Sequence, residues 1–302
     1  MKELTVISGK GGTGKTSLAA SFATLAANAL LADCDVDAPD LHLLFSGRDR
    51  ERQPVYGPEL ASIELAKCTR CERCLSACRF QAVIRLPSGD FFVDTLFCRG
   101  CDACRLVCPE GAIKLSPNPS GEVIVSDTSI GPLVQARLRP GAAGFSKLVV
   151  AVRDRAATLA AGEGKELVII DGPAGTGCTA IASLSGADLA LIVAEPTLAG
   201  LHGGERVLAL ARHFGVPTLL CVNKWDLNPE MARRLERWAA EAHIHVVGRI
   251  PFDRGFGRAV ARGVPFTELD EASETGREAV VGTWRAAQEV LDSIGDWFPM
   301  PA

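Results

Sequence analysis

The sequence predicts a doubly wound α/β fold with a mainly parallel sheet, into which a small α+β domain is inserted. Three observations carry this prediction. Short apolar segments alternate with helical stretches along most of the 302 residues, as in a parallel sheet with helices on both faces. A glycine-rich loop of phosphate-binding type follows the first apolar segment. Eight of the eleven cysteines repeat one spacing within a single stretch of the chain.

The order of the elements follows from this alternation and from the turn-forming residues. The large domain is expected to comprise residues 1–59 and 117–302, with the inserted domain at 60–116. We interpret 47–58, rich in charge and proline, and 116–121, rich in proline, as linkers. The predicted strands lie near 3–8, 29–33, 122–126, 166–171, 188–194, 217–222 and 245–249, and the clearest predicted helices at 201–214, 229–242 and 274–294.

The overall composition restricts the classes of function. With 47% apolar and 23% charged residues, the chain is typical of a globular protein. No apolar run in the sequence reaches the length of a membrane span, and a net charge of −4 with dispersed basic residues disfavours a nucleic-acid partner. The chain begins with a predicted strand rather than a signal peptide. We therefore expect a cytoplasmic protein in a reducing compartment, where disulfides are rare.

The loop after the first predicted strand fits the pattern G-x-x-x-x-G-K-[ST] and opens a predicted helix that extends to about Ala27. Glycines in such a loop let backbone N–H groups surround phosphate oxygens, and the helix N-terminus adds a favourable dipole. Lys15 is expected to reach the β- and γ-phosphates of ATP, and Thr16 to ligate Mg²⁺. A glycine-rich turn formed by chance is the alternative. The residues expected to contact the nucleotide here are Gly11, Gly12, Thr13, Gly14, Lys15, Thr16 and Ser17.

A second lysine, Lys10, lies early in this loop, in the sequence Lys-Gly-Gly-Thr-Gly-Lys-Thr. This form resembles the deviant Walker A motif of the SIMIBI-class superfamily that includes MinD, ParA and the nitrogenase iron protein. The resemblance implies that Lys10 reaches the phosphates of a partner subunit in a nucleotide-sandwich dimer, homo- or heteromeric, and takes part in ATP hydrolysis. A lysine that is merely solvated is the alternative.

Two later segments resemble further motifs of the same superfamily, in the same order. The apolar segment that ends at Asp35 resembles switch I, which implies that Asp35 orients the attacking water. A few residues on, Asp40 departs from the asparagine common in the family. The segment 167–175 resembles the Walker B and switch II region, which implies that Asp171 holds the Mg²⁺ shell. For Asp171, a carboxylate that only caps the following helix is the alternative.

Asn223, at the end of a predicted strand, is the candidate for base recognition. Residues 223–226 have the Asn-Lys-x-Asp pattern with which GTPases read guanine. The resemblance to the MinD-like family implies instead that Asn223 binds adenine and that backbone near Pro251 completes the pocket. We favour ATP over GTP, with a turn-forming asparagine as the alternative.

The eight repeated cysteines form two copies of C-x2-C-x2-C-x3-C. The stretch 62–116 resembles the bacterial two-cluster ferredoxins, and its halves align at an offset of 30 residues. In such ferredoxins the fourth cysteine of each copy ligates the other cluster. Arg79 follows the first copy where Pro109 follows the second. The predicted [4Fe-4S] ligand sets are Cys68, Cys71, Cys74 and Cys108 for one cluster, and Cys98, Cys101, Cys104 and Cys78 for the other.

Structural zinc is the alternative for these cysteines, because paired Cys-x2-Cys units also form tetrahedral zinc sites. The third cysteine of each copy and the Cys-x3-Cys step would then be surplus ligands. We therefore interpret the repeat as an iron–sulfur module.

Together the modules resemble MinD-superfamily P-loop ATPases that carry an inserted ferredoxin domain, and three functions fit them. The first is an ATPase in which nucleotide state controls electron transfer through the clusters to a partner protein. The second is an ATPase that assembles or carries metallocofactors or iron–sulfur clusters. The third is a nucleotide-dependent binding switch with structural clusters. Four thiolates per cluster favour the first, because a transferable cluster needs a labile or solvent-open site.

Three cysteines lie outside the repeat. Cys34 and Cys221 occur in apolar strands and are expected to be core residues. Cys178 follows the switch II-like segment, and resemblance to the nitrogenase iron protein implies that two copies of it approach one another in an ATP-bound dimer, here without a shared cluster. The last predicted helix, to which we assign Trp284 and Trp297, has few basic residues and is expected to pack on the core rather than on a membrane.

Overall fold

The computed structural model describes residues 1–141 and 145–294. Within these ranges it contains thirteen strands and ten α-helices. The strands are β1 (Lys2–Ser8), β2 (Ala29–Asp33), β3 (Gly47–Tyr56), β4 (Leu60–Ile63), β5 (Val83–Arg85), β6 (Phe91–Val93), β7 (Ile113–Ser116), β8 (Pro119–Thr128), β9 (Gly131–Leu138), β10 (Leu167–Ala174), β11 (Leu189–Ala194), β12 (Thr218–Asn223) and β13 (His245–Ile250). The helices are α1 (Lys15–Leu25), α2 (Leu41–Leu44), α3 (Arg73–Ala77), α4 (Ala103–Leu106), α5 (Phe145–Gly162), α6 (Cys178–Leu184), α7 (Leu198–His213), α8 (Pro229–Glu241), α9 (Arg254–Arg262) and α10 (Glu274–Asp292).

The main sheet has nine strands in the order β13-β12-β11-β1-β10-β2-β9-β8-β3. The seven from β13 to β9 pair in parallel. β8 and β9 form a hairpin joined by residues 129 and 130. At the sheet edge, Gly47 at the start of β3 lies against Asp127 near the end of β8. Just after the end of β3, the Gly57 N–H donates to the Asn118 carbonyl, just before the start of β8, at 2.8 Å. β3 therefore runs antiparallel to β8.

The parallel strands are buried on both faces, as a doubly wound fold requires. In β11 the odd-numbered residues pack in one core with Phe22 of α1 and Trp284 of α10. The even-numbered residues pack in a second core with Leu184 of α6 and Leu235 of α8. Because side chains alternate along a strand, a continuous apolar run such as β11 supplies both cores at once. The predicted doubly wound α/β fold with a mainly parallel sheet is thereby confirmed.

All seven predicted strands of the large domain occur in the structure, but the interpretation of 47–58 as a linker is wrong. This segment contains the ten-residue strand β3. Its charge and Pro54 are tolerated because an edge strand needs only one row of ladder hydrogen bonds and faces water on its outer side. The second predicted linker, 116–121, is reduced to the two residues between β7 and β8. β9 and α5 had no counterpart in the prediction.

The chain divides into two compact units. Unit 1 comprises Met1–Arg52, Val123–Ala136 and Val149–Ala302, and unit 2 comprises Gln53–Glu122 and Arg137–Leu148. Unit 2 is wider than the segment 60–116, because it includes the end of β3, the beginning of β8 and the end of β9.

Unit 2 contains two small antiparallel pairs, β4 with β7 and β5 with β6. The short helices α3 and α4 each follow the second cysteine of a repeat. Its small core contains Ala61, Val83, Phe91, Val93 and Ile113, with cysteine side chains packed against it.

The last helix, α10, packs on the core of unit 1, as expected. Trp284, Val290 and Leu291 are buried there. Trp297 lies outside the described residues. Over the described ranges, no helix has both the length and the apolar character that a membrane crossing requires.

Candidate functional site

The phosphate-binding loop connects β1 to α1 at the carboxyl edge of the parallel strands, where doubly wound folds bind ligands. Gly12 and Gly14 have φ angles of 78° and 94°, which favour glycine. Gly9 lies so close to α7 that a Cβ on it would be 2.2 Å from the Gly203 backbone. The loop conformation is therefore fixed both by its own backbone angles and by contact with α7.

A cavity of about 500 Å³ opens beside this loop, within the usual size of a small-molecule site. Of the residues expected to contact the nucleotide, Thr13 alone does not line it. Thr13 is buried, and its Oγ1 has no hydrogen-bond partner among the described residues. The predicted site residues that line the cavity are Gly11, Gly12, Gly14, Lys15, Thr16, Ser17, Asp35, Asn223 and Pro251.

Lys15 lies at the centre of the charged part of this cavity. Its Nζ donates to Asp35 Oδ2 at 2.7 Å. Burial lowers the pKa of Lys15, but the charges of Asp171, Asp35 and Asp33 outweigh burial and raise the pKa above its usual value. Lys15 is therefore cationic and held in place for an anionic ligand.

Two neighbouring strands each bring a fully buried carboxylate to this edge of the sheet. Asp33 of β2 is in register with Asp171 of β10. Asp33 accepts hydrogen bonds from the Leu41 and Asp35 N–H groups, each at 3.1 Å. Burial, and then the charge of Asp171, raise the pKa of Asp33 well above its usual value.

Asp171 differs from Asp33 in its hydrogen bonding. Neither of its carboxylate oxygens has a partner among the described residues. Burial raises the pKa of Asp171 to about 6, although the Lys15 charge and the nearby Thr16 hydroxyl lower it. Asp171 does not cap α6, whose N-cap residue is Gly177. A hydroxyl and a free carboxylate are donors that suit Mg²⁺, so Thr16 and Asp171 fit the predicted metal site.

Lys10 is directed toward a different carboxylate of its own chain. Its ammonium forms an ion pair with Glu195, at the end of β11. Lys224 also approaches Glu195 at 3.4 Å, and its Nζ donates to the Gly12 carbonyl at 2.8 Å. Burial raises the pKa of Glu195, but these two lysines outweigh burial and lower it. In this conformation Glu195 holds Lys10 within its own chain.

The Asn223 side chain braces the phosphate-binding loop. Its Nδ2 donates to the Thr13 carbonyl at 2.7 Å, and its Oδ1 accepts from the Lys224 N–H at 3.0 Å. A Cβ on Gly14 would lie 2.5 Å from this Nδ2. Asp226, the last residue of the Asn-Lys-x-Asp pattern, accepts the Phe252 N–H at 2.6 Å.

The structure brings the repeated cysteines together in the two predicted sets of four. We call the two spaces that they line the Cys68 cavity and the Cys98 cavity. The Cys68 cavity is lined by Cys68, Cys71, Cys74 and Cys108. The Cys98 cavity is lined by Cys78, Cys98, Cys101 and Cys104. The last thiol of each copy therefore lies with the first three of the other copy.

The two cysteine copies have matching backbone geometry at the offset of 30 residues. Three pairs of corresponding residues share the left-handed conformation: Arg70 and Gly100, Glu72 and Asp102, and Gln81 and Gly111. In the pair Glu72 and Asp102, neither residue is glycine. Left-handed backbone is uncommon outside glycine, so its recurrence shows that both loops are held in the same specific shape.

Both crossing thiols accept a backbone hydrogen bond. The Ala82 N–H donates to Cys78 Sγ and the Ala112 N–H to Cys108 Sγ, each at 3.3 Å. Burial raises the pKa of Cys74 and of Cys104, the matching third cysteines. Within the described part of the chain, no three His, Cys, Asp or Glu side chains are grouped to hold a single metal ion. The four thiols around each cavity surround a space, and four cysteines are the ligand set of a [4Fe-4S] cluster.

Comparison with known proteins assigns the nucleotide-binding part. The profile of the CobQ/CobB/MinD/ParA nucleotide binding domain matches residues 4–266. The chain belongs to this family. The family includes the MinD/ParA-type ATPases, whose fold is the α/β P-loop fold with a mostly parallel sheet described above.

Three similar proteins differ in how much of the chain they match. An uncharacterized protein of Methanocaldococcus jannaschii is 35% identical over 229 residues, covering 75% of this chain and 79% of that protein. The septum site-determining protein MinD of Pyrococcus horikoshii, solved in complex with Mg-ADP, has a TM-score of 0.55 at 16% identity and 99% coverage of both chains. The IorA subunit of indolepyruvate oxidoreductase from Methanothermobacter marburgensis is 40% identical over 52 residues, covering 17% of this chain and 8% of that subunit.

The cysteines outside the repeat occupy two kinds of position in this member of the MinD/ParA family. Cys34 and Cys221 are fully buried, as expected for core residues. Burial raises the pKa of both thiols, that of Cys221 to about 12. Cys178 is exposed and begins α6.

Sequence reasoning missed two residues of the nucleotide site. Glu195 was not identified as the partner of Lys10, although it directly follows a predicted parallel strand, the position at which doubly wound folds form their sites. Asp33 lies within the switch I-like segment, but nothing in the sequence indicated that it pairs in register with Asp171.

Proposed function

We propose that this protein is a dimeric ATPase in which the nucleotide state controls electron transfer through two [4Fe-4S] clusters to a redox partner protein. One observation carries the proposal: a chain of the MinD/ParA family has two cavities, each lined by a complete set of four thiols. No ligand is missing from either set, which favours resident clusters over clusters that are cargo.

The nucleotide chemistry follows from four side chains. Thr16 and the unpaired carboxylate of Asp171 would hold Mg²⁺, which supplies charge neutralisation at the phosphates when bound. A triphosphate competes with Asp35 for Lys15, because both are anions within reach of the same ammonium. Release from Lys15 frees Asp35 to orient water for hydrolysis. The fold similarity to a MinD solved with Mg-ADP agrees with binding of a magnesium nucleotide.

The preference for ATP over GTP is supported by Asp226. In the pattern that reads guanine, the last carboxylate must be available to the base. Here one oxygen of Asp226, Oδ1, accepts the Phe252 N–H at 2.6 Å, and the Asn223 amide donates to the Thr13 carbonyl and accepts from the Lys224 N–H. Adenine would then be read by backbone near Pro251, which lines the cavity.

Dimerisation gives Lys10 its role in this proposal. Within one subunit Lys10 pairs with Glu195. Across a nucleotide-sandwich dimer, the phosphates of the partner subunit offer a stronger anionic partner, because a triphosphate carries several charges in a site shielded from water. Exchange of Glu195 for these phosphates couples hydrolysis to dimer formation.

The iron–sulfur part has a continuous connection to the nucleotide site along the chain. Asp35 and Asp40 line the nucleotide cavity. α2 and β3 follow directly, and β3 passes from unit 1 into unit 2 after Arg52. In this proposal, a change at Asp35 on ATP binding is transmitted through this segment to the cysteine repeat. The short similarity to an oxidoreductase subunit agrees with redox chemistry.

The test is a redox titration of anaerobically purified protein with ADP, with a non-hydrolysable ATP analogue and without nucleotide. We expect about eight irons and eight sulfides per chain, from two clusters of four, and a midpoint potential that differs between the ADP and analogue states. Lys15→Ala is the matched control and should remove the nucleotide dependence while keeping the iron.

Two results would contradict the proposal. Stoichiometric zinc with little iron would show that the thiols form zinc sites. Full iron content with midpoint potentials that do not change with nucleotide would show that nucleotide state does not control the clusters. Transfer of iron to an apo-protein during ATP hydrolysis would instead support the assembly or carrier function.

A further inference from the structure

We propose that the two clusters have unequal potentials and that the cluster of the Cys98 cavity takes the first electron. The inference rests on the proposed function in assuming a [4Fe-4S] cluster in each cavity. The difference in potential arises from charged side chains that line the cavities and differ between the two copies of the repeat.

Most influences on potential are matched between the two cavities. Cluster potential depends on the charge around the cluster, hydrogen bonds to sulfur and solvent exposure. The crossing thiol of each set accepts an N–H···S bond of 3.3 Å, Cys78 in one cavity and Cys108 in the other. Each has its second cysteine exposed, Cys71 in one and Cys101 in the other. These features therefore give no difference between the clusters.

One pair of lining carboxylates is also matched. Glu72 lines the Cys68 cavity, and Asp102 lines the Cys98 cavity at the corresponding position. Arg85 donates to Glu72 at 2.9 Å, and Arg105 forms an ion pair with Asp102. Each carboxylate is thus neutralised by its own arginine, and neither distinguishes the two cavities.

Among the positions whose residues line both cavities, two others differ in charge. Thr69 lines the Cys68 cavity, and Arg99 takes the corresponding position in the Cys98 cavity. Phe80 lines the Cys98 cavity, and Glu110 takes the corresponding position in the Cys68 cavity. The Cys98 cavity therefore gains a cation, and the Cys68 cavity gains a carboxylate.

Both differences act in the same direction. Reduction adds one negative charge to a cluster, which a nearby cation favours and a nearby carboxylate disfavours. Arg99 raises the potential in the Cys98 cavity, and Glu110 lowers it in the Cys68 cavity. Because Arg99 and Glu110 are exposed, salt screens both effects. The two potentials should therefore approach one another as ionic strength rises.

The experiment is an EPR-monitored titration of the full chain with dithionite, which supplies one electron to each cluster. We expect two reduction steps at low ionic strength. Arg99→Thr should lower only the upper step, and Glu110→Gln should raise only the lower step. The double variant should bring the steps together. Thr69→Val, at the position corresponding to Arg99 and without a change of charge, should leave both steps in place.

Iron and sulfide analysis separates this inference from the proposed function. About eight irons per chain with one unsplit reduction step would overturn the inference and leave the clusters in place. A shift of the lower step in Arg99→Thr would overturn it as well, because Arg99 would then act on the wrong cluster. Absence of iron in every preparation would instead overturn the proposed function. Iron content also verifies that each variant has folded.

Discussion

At the scale of single residues, Asp33 and Asp171 show how neighbouring carboxylates acquire different tasks. Both are buried at the ends of adjacent parallel strands. Asp33 accepts two backbone N–H bonds and so fixes the backbone around Asp35 and Leu41. Asp171 has two oxygens without a partner in the described structure. An unsatisfied buried carboxylate is costly, which is the expected condition of a metal ligand before its metal binds.

Asp171→Asn should therefore abolish stabilisation by Mg-ATP without lowering the stability of the nucleotide-free protein. At a ligand concentration of about 100 times Kd, binding raises the free energy of unfolding by about 2.7 kcal/mol, and the variant should lose this increment. Thermal unfolding with and without Mg-ATP measures it. Asp33→Asn is the matched comparison and should lower the stability of the nucleotide-free protein, because Asn offers one acceptor where two N–H groups need partners. A full Mg-ATP shift in Asp171→Asn would contradict the assignment.

Lys10 and Lys15 occupy one loop but differ in environment. Lys15 is buried in the cavity beside Asp35, whereas Lys10 is paired with Glu195. Lys10→Ala should reduce phosphate release by at least about tenfold, as expected for loss of a transition-state cation, and should change ATP affinity little. Lys15→Ala should instead weaken ATP binding. Equilibrium binding of a fluorescent ATP analogue together with a phosphate-release assay distinguishes them, and equal loss of affinity in both variants would exclude separate roles.

At the scale of elements, the contact between the phosphate-binding loop and α7 fixes the nucleotide site. A Cβ on Gly203 would lie 2.9 Å from the Gly9 Cα, and backbone on both sides leaves little room to adjust. Gly203→Ala should lower the free energy of unfolding by about 1–3 kcal/mol, the usual cost of overpacking, and should weaken ATP binding. Gly282→Ala in α10 is the control, because a Cβ there has no neighbour within 4 Å. It should raise stability by up to about 1 kcal/mol. Urea unfolding measures both, and equal effects would contradict the close-contact argument.

The exchange of cysteines between the two copies gives a second prediction at this scale. Cys108 follows α4 of the second copy but lines the cavity of the first three cysteines. Cys108→Ser should therefore leave the same EPR signal as Cys68→Ser, with iron reduced to about half because one of the two clusters is lost. Cys78→Ser should instead resemble Cys98→Ser. If Cys108→Ser left the same EPR signal as Cys98→Ser, the predicted ligand sets would be wrong.

At the scale of the whole molecule, the ATP-bound dimer remains a prediction, and Cys178 offers a probe for it. Cys178 is exposed at the start of α6. We expect bis-maleimide cross-linking through Cys178 to increase with ATP in an Asp35→Ala background, where hydrolysis should stop, and sedimentation to show a dimer. The protein must carry its iron, because Cys71 and Cys101 are also exposed. Cys178→Ser should abolish the cross-link. A monomer under saturating ATP would contradict the sandwich dimer.

The sequence by itself determined the features that arise from local spacing. Closely spaced glycines and lysines define the phosphate-binding loop, and continuous apolar runs define strands buried on both faces. The grouping of the eight cysteines was predicted from the resemblance to two-cluster ferredoxins, and in the structure each copy folds into a short loop and helix of the same shape. Such features need few contacts from distant parts of the chain.

Only the tertiary structure decided the features that depend on neighbours far along the chain. β3 is a strand because β8 offers it a sheet edge, although its own charge and proline are typical of a linker. Lys10 pairs with Glu195 and Asn223 with Thr13 because β11 and β12 end at the same edge of the sheet as β1. A sequence pattern cannot indicate these partners, because strand order brings together residues that are about 200 positions apart.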